Sequence, residues 1–200
     1  MWIHHSGTIS HMSDATSAVR SHVETFFAGH SVELRSFDRG PIYRRVPNFE
    51  VACIGPGPRM PLWTFVTLGC WDAVNSEEHG LEFLLVRPTD NEAHLESLAM
   101  AAHYHAGPES QRLDVGHTVP IGEPLVEGST LDHELVSPPY PFGPELESCA
   151  WQSGHARLLW LLPITKAERD FKAKQGLEAL ESLFEEVGVE YWDPFRSSVV

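Results

Sequence analysis

Twelve histidines in 200 residues are the first side chains here that could do chemistry, because imidazole titrates near neutral pH and ligates transition metals. Metal-assisted hydrolysis needs three converging ligands and an open position for water. His103 and His105 end a helical stretch, two residues apart, where side chains do not share a face, and His117 and His133 follow on irregular segments. No HExxH spacing occurs, nor an HxH pair with an obvious carboxylate partner. A metal-dependent hydrolase using His103, His105 and His117 with nearby acids is therefore the alternative reading, and solvated or hydrogen-bonded histidines are the leading one. His4, His5 and His11 belong to an aperiodic terminal stretch and are not read as ligands.

Nucleophilic chemistry has less support. There is no GxSxG elbow, and Cys53, Cys70 and Cys149 are far apart, odd in number and without a CxxC pair, which reads as buried reduced thiols. Glu77 with Glu78, Glu145 with Glu147, and Glu185 with Glu186 are paired carboxylates, but adjacent surface acids are normally solvated and nothing in the sequence splits their pKa values. The loop GPGPRMP at 55–61 lacks a following GK[ST] and opens into a strand, so it is not read as a phosphate cradle. The expectation is no catalytic residue, no metal and no cofactor.

Charge and aromatics point to binding instead. Asp and Glu outnumber Lys and Arg by 28 to 14, and such a field repels nucleic acid and anionic membrane while speeding encounter with a basic protein. Tyr140 and Phe142 among prolines, and Tyr191, Trp192 and Phe195 near the C-terminus, are rigid apolar anchors of the kind interfaces use. Aromatic anchors ringed by acids suit a basic partner, which nominates Asp132, Glu134, Tyr140, Phe142, Glu145 and Glu147 as partner-binding residues. Apolar runs are too short to span a bilayer and no signal-peptide pattern opens the chain, so a cytoplasmic location is expected.

The elements that must position these residues centre on 156–187. Leu158 to Leu162 is an unbroken apolar run, read as a strand at the sheet centre that Pro163 stops. Thr165 with Glu168 forms a capping box that starts a helix. Leu177, Leu180, Leu183, Phe184 and Val187 share a face that Phe171 does not, so a break near Gly176 is predicted. Upstream, residues 1–12 read as a disordered extension or expression remnant, and 13–200 as one domain. The spacing predicts a helix from Asp14 closed by Gly29, an exposed edge strand around Ile42, Tyr43 and Val46, and a hairpin of 49–54 with 62–69. A strand over 82–86 leads to a second capping box, Thr89 with Glu92, and a helix with Leu95, Leu98, Ala99 and Ala102 on one stripe. A short strand over 115–121 follows, and proline-rich 131–144 reads as a long surface loop.

Four segments together resemble the Suppressor of fused domain family, in particular its small single-domain bacterial members: LWTFVTLG at 62–69, LEFLLVRP at 81–88, ARLLWLLPITKAERDFKAKQG at 156–176 and DPFR at 193–196. The resemblance spans about 19–199. It implies an α+β domain, a mixed sheet with flanking helices, and no catalytic residues or cofactor. Animal members are bilobed scaffolds that sequester a transcription factor, and bacterial ones resemble immunity proteins that neutralise toxins. The resulting expectation is a non-enzymatic interaction domain, an immunity protein that occludes a basic toxin.

Overall fold

The structure, a computed structural model, describes residues 13–38, 40–74 and 80–200. The expectations for residues 1–12 and for Glu77 and Glu78 lie outside them. Among the described residues, seven α-helices and eight strands follow in the order α1 (Asp14–Phe26), β1 (Val32–Ser36), α2 (Gly40–Arg45), β2 (Glu50–Ile54), β3 (Trp63–Leu68), α3 (Cys70–Val74), β4 (Leu81–Arg87), α4 (Glu92–His105), β5 (Thr118–Pro120), β6 (Leu131–Ser137), α5 (Pro144–Glu147), β7 (Ser148–Trp151), β8 (Gly154–Thr165), α6 (Lys166–Gln175) and α7 (Leu177–Val187). The strands form one mixed sheet ordered β1-β2-β3-β4-β8-β6-β5, with β7 pairing the start of β8. Neighbours are antiparallel except β4 and β8, which run parallel with Leu81 opposite Arg157 and Leu84 opposite Trp160.

Helices cover both faces of this sheet, so the architecture is α+β in a single domain. Strand side chains alternate sides. Ile54, Val66, Leu84 and Leu158 pack with Val23 and Phe27 of α1 and Phe184 of α7, whereas Cys53, Phe65, Phe83 and Leu159 pack with Ile42 of α2 and Leu98 of α4. Double coverage is why β4 and the apolar run of β8 contain no exposed position between Leu158 and Thr165 or Leu81 and Val86.

The break at Gly176 is present: its φ of 95° suits glycine, and both Phe171 and Leu177 then reach the same core. The Thr165 box also forms, with the Glu168 amide 3.1 Å from the Thr165 hydroxyl and the Thr165 amide 2.8 Å from the Glu168 carboxylate. Val187, in contrast, is exposed.

Other expectations are corrected. Pro163 does not stop β8, which continues to Thr165. Beyond Trp160 the strand pairs only with β6, and a proline without an N–H is tolerated where one edge is unpaired. Residues 131–137 are not loop but β6, because every proline of that segment lies after Ser137 and leaves the ladder intact. Ile42 and Tyr43 lie on helix α2, where Ile42 and Val46 meet at a four-residue spacing, and the edge strand is β1 just upstream. At α4 the cap is Asn91, whose side chain accepts the Ala93 amide at 3.0 Å and displaces the Thr89 box. α1 ends at a Phe27 cap, with Gly29 in the following turn.

Candidate functional site

The sequence-nominated residues separate into two groups. Past β6, a turn closed by the Phe142 amide on the Pro139 carbonyl (2.8 Å) pushes Tyr140 outward, 61% exposed. Its hydroxyl donates to Glu181 of α7 at 3.1 Å. Partial burial, and then the negative field of Glu181, Glu185 and Glu147, raises its pKa above the usual phenol value. Glu145 is exposed on α5 beside this surface, and Glu147 accepts Arg157 at 2.7 Å. Phe142 points inward, edge-on to Phe26 and Phe27 with ring centroids 6.0 and 5.4 Å away. It supports the turn, so truncating it costs core packing.

Asp132 and Glu134 lie toward the other end of β6. Asp132 meets its neighbour His133 at 2.8 Å. Glu134 is 2% exposed and bound to Arg87 at 2.6 Å, so in this structure it offers nothing to a partner surface. Sequence reasoning weighed Glu185 only as half of a carboxylate pair with Glu186 and did not single out Glu181, because their helical stretch gave no sign that it would return beside Tyr140.

His103, His105 and His117 do not gather. His105 is buried, accepts the Leu113 amide at 2.8 Å and sits edge-on to Phe83. His117 accepts the Asp114 amide at 3.1 Å, and His103 lines a groove on the far side of α4. Among the described residues no three His, Cys, Asp or Glu side chains could hold a metal ion.

Buried polar pins hold these surfaces in place. Glu82 accepts the Thr67 hydroxyl (2.6 Å) and the amides of Gly69, Cys70 and Trp71 (3.0, 3.2 and 3.1 Å), which fixes α3 to the sheet. Burial pushes Glu82 up to about 8 against those donors, and burial pushes Glu134 up to about 7 against Arg87. Burial lowers His94 to about 4, helped by the Arg87 charge, and lowers His103 as well.

These shifts fix a pH dependence. Between pH 4.5 and 6.5 the folded state holds extra protons on Glu82 and Glu134, while the unfolded chain holds extra protons on His94 and His103, so the slopes oppose. Above 6.5 only the glutamates act, the folded state binds more protons, and stability falls until about pH 8. Urea midpoints are expected to fall gently from pH 5 to 6.5, where the histidines offset part of the glutamate slope, and more steeply from there to pH 8, a loss on the order of 2 kcal/mol over that upper range. Glu82→Gln is expected to flatten the fall above pH 7, and an unchanged slope would contradict the assignment.

A groove on the opposite side of the sheet was not foreseen. It lies among the end of β1, α2 and α4, encloses about 670 Å³, and is lined by Phe37, Pro41, Ile42, Leu95, Ala99 and Met100 with charged residues at its rim. The misreading of α2 as a strand hid it. The available signal was α4 itself, whose apolar residues occupy more than the one stripe needed to face a sheet.

A family model described as Suppressor of fused protein (SUFU) matches residues 45–197. The chain belongs to the Suppressor of fused family. A SUFU homologue from Neisseria gonorrhoeae FA 1090, solved by crystallography, is 35% identical, with 94% of this chain and 97% of that one covered and a TM-score of 0.82. Two further SUFU structures share the fold at a TM-score of 0.67: the Sufu-Fu complex, at 12% identity over 92% of each chain, and Drosophila Suppressor of Fused, at 11% over 92% of this chain and 50% of that one. No curated protein matches in sequence. The segments on which the SUFU resemblance rests are the ones that hold the pins. VTLG supplies Thr67 and Gly69, LEFLLVRP supplies Glu82 and Arg87, LLPIT with its helix supplies Thr165 and Glu168, and DPFR supplies Arg196.

Proposed function

We propose that this SUFU-family domain acts by binding a protein, without chemistry of its own, and that its partner is a basic toxin neutralised by occlusion. The observation that carries the reading is Tyr140, exposed on a turn and surrounded by Glu147, Glu181 and Glu185 on a chain of formal charge −14. An aromatic anchor within an acidic field favours a basic partner and speeds its approach. A family relative crystallised as the Sufu-Fu complex supports protein binding as the mode of action. The hydrolase alternative has no such support, because His103, His105 and His117 stand apart, each in its own setting.

Capture from a lysate of the source cell, at low and then high salt, tests the reading. A basic chain released by salt is expected, and its toxicity when expressed without this domain is the next measurement. Tyr140→Ala with Glu181→Lys is expected to weaken capture at least tenfold and leave the unfolding midpoint within about 0.5 kcal/mol, as surface changes do. Retention of a partner by that variant would remove this surface from the mechanism.

A further inference from the structure

The groove beside α4 differs from the Tyr140 surface in position and in chemistry. Phe142 under Tyr140 belongs to the core on one face of the sheet, whereas Ile42, Leu95 and Ala99 belong to the core on the other. The two surfaces therefore lie on opposite sides of the molecule. Along the groove, Leu95 and Ala99, at the edge of the core stripe of α4 and nearly buried, form the floor, and Met100 stands beside them, 38% exposed. A second hollow of about 440 Å³ extends it past Gly40 and Pro41 to Arg44 and Arg45.

Its charges are divided by position. Glu92 and Glu96 stand at the end where α4 begins, with Asp38 on the rim, and Arg44 and Arg45 stand at the end where α4 finishes beside His103. Among the described residues, Asp38, Glu92, Glu96 and Arg44 have no ion-pair partner. Arg35 is already held by Asp90 at 2.8 and 2.6 Å and so adds little net charge at the acidic end.

We propose that this groove docks an amphipathic helix of a partner protein, lying antiparallel to α4. A helix is stabilised by acids in its first turn and by lysine or arginine in its last. Laid antiparallel to α4, such a helix sets its acids over Arg44 and Arg45 and its bases over Glu92 and Glu96. The groove's polarity is thus the complement of an ordinary helix. Glu92 to His103 spans roughly 16 Å at 1.5 Å per residue, about three turns, and the floor accepts apolar residues at i, i+4 and i+7. This site is independent of the Tyr140 surface, and the protein can hold both occupants together.

The probe is a synthetic 14-residue helical peptide with leucines at those positions, glutamates in the first turn and lysines in the last. A control peptide has the charges exchanged. Titrated into the isotope-labelled 200-residue chain, the probe is expected to shift the amides of Ile42, Leu95, Ala99 and Met100 saturably and to bind at least fivefold tighter than the control. Met100→Asp is expected to weaken it at least tenfold, Glu92→Lys with Glu96→Lys to reverse the preference, and Tyr140→Ala to leave it unchanged. Because Met100 is partly exposed, its variant remains foldable, which an unchanged amide spectrum elsewhere would establish. Equal affinity for both peptides, shifts confined to other surfaces, no saturation, or a dimeric mass that Met100→Asp abolishes would each overturn the proposal. Loss of capture by the Tyr140 variant with groove binding intact, or the reverse, separates failure of one site from failure of the other.

Discussion

Arg196→Ala is expected to destabilise the domain by about 3–5 kcal/mol, the usual cost of stranding one member of a buried ion pair. Glu168 is fully buried, and Arg196 grips both of its oxygens, at 2.7 and 2.8 Å. The same guanidinium donates to the Pro163 carbonyl at 3.0 Å and lies over the Phe184 ring at 5.6 Å. Glu168 in turn accepts the Thr165 and Val199 amides at 2.8 and 3.1 Å, so one carboxylate ties together the end of β8, the start of α6 and the C-terminal tail. Truncating the arginine leaves that charge in the interior with amides alone. Arg196→Lys is expected to recover little, because an ammonium cannot reach two oxygens and a carbonyl in one plane. Urea unfolding of the three proteins checks this, and a loss below 1 kcal/mol for the alanine variant would mean that water replaces the guanidinium.

Glu82→Ala is expected to cost about 4 kcal/mol or more, which lowers the melting temperature by on the order of 10 °C for a domain of this size. The side chain is the acceptor for three amides and one hydroxyl, and each donor left unsatisfied in the interior costs about 1–3 kcal/mol. Glu82→Gln keeps an acceptor for part of that set and is expected to lose much less. The difference between the two variants measures the hydrogen bonds, since both remove the titrating carboxyl. Near-equal losses would show that packing, and not donor satisfaction, fixes α3.

The parts of this fold legible in the sequence were those set by local rules. The apolar run of β8, the Thr165 box and the glycine break between α6 and α7 each follow from residues within a few positions of one another. The misreadings arose where composition outweighed position. Prolines after Ser137 coloured the reading of β6, though none interrupts its ladder, and β-like alternation at Ile42 and Tyr43 concealed a short helix. At the candidate interface, Tyr140 and Glu147 were nominated from chain proximity and do stand near each other. Glu134 was nominated on the same ground and is buried, because a charge's partner across a sheet, here Arg87, has no mark in the local sequence. The groove was illegible for the same reason: its walls come from β1, α2 and α4, and only the folded chain juxtaposes them.

The parallel pairing of β4 with β8 also governs how the protein is made. Strands β1 to β4 leave the ribosome first and can close as an antiparallel meander, yet β4 then has no neighbour on its far edge until Gly154 and the residues after it have been synthesised. That waiting strand is largely apolar on both faces, Glu82 and Arg87 apart, and an open apolar edge is the kind of template on which chains aggregate. Folding of the nascent chain is thus completed late, when β8 enters between β4 and β6, and in the interval one strand edge is the point at which the growing chain is open to mispairing.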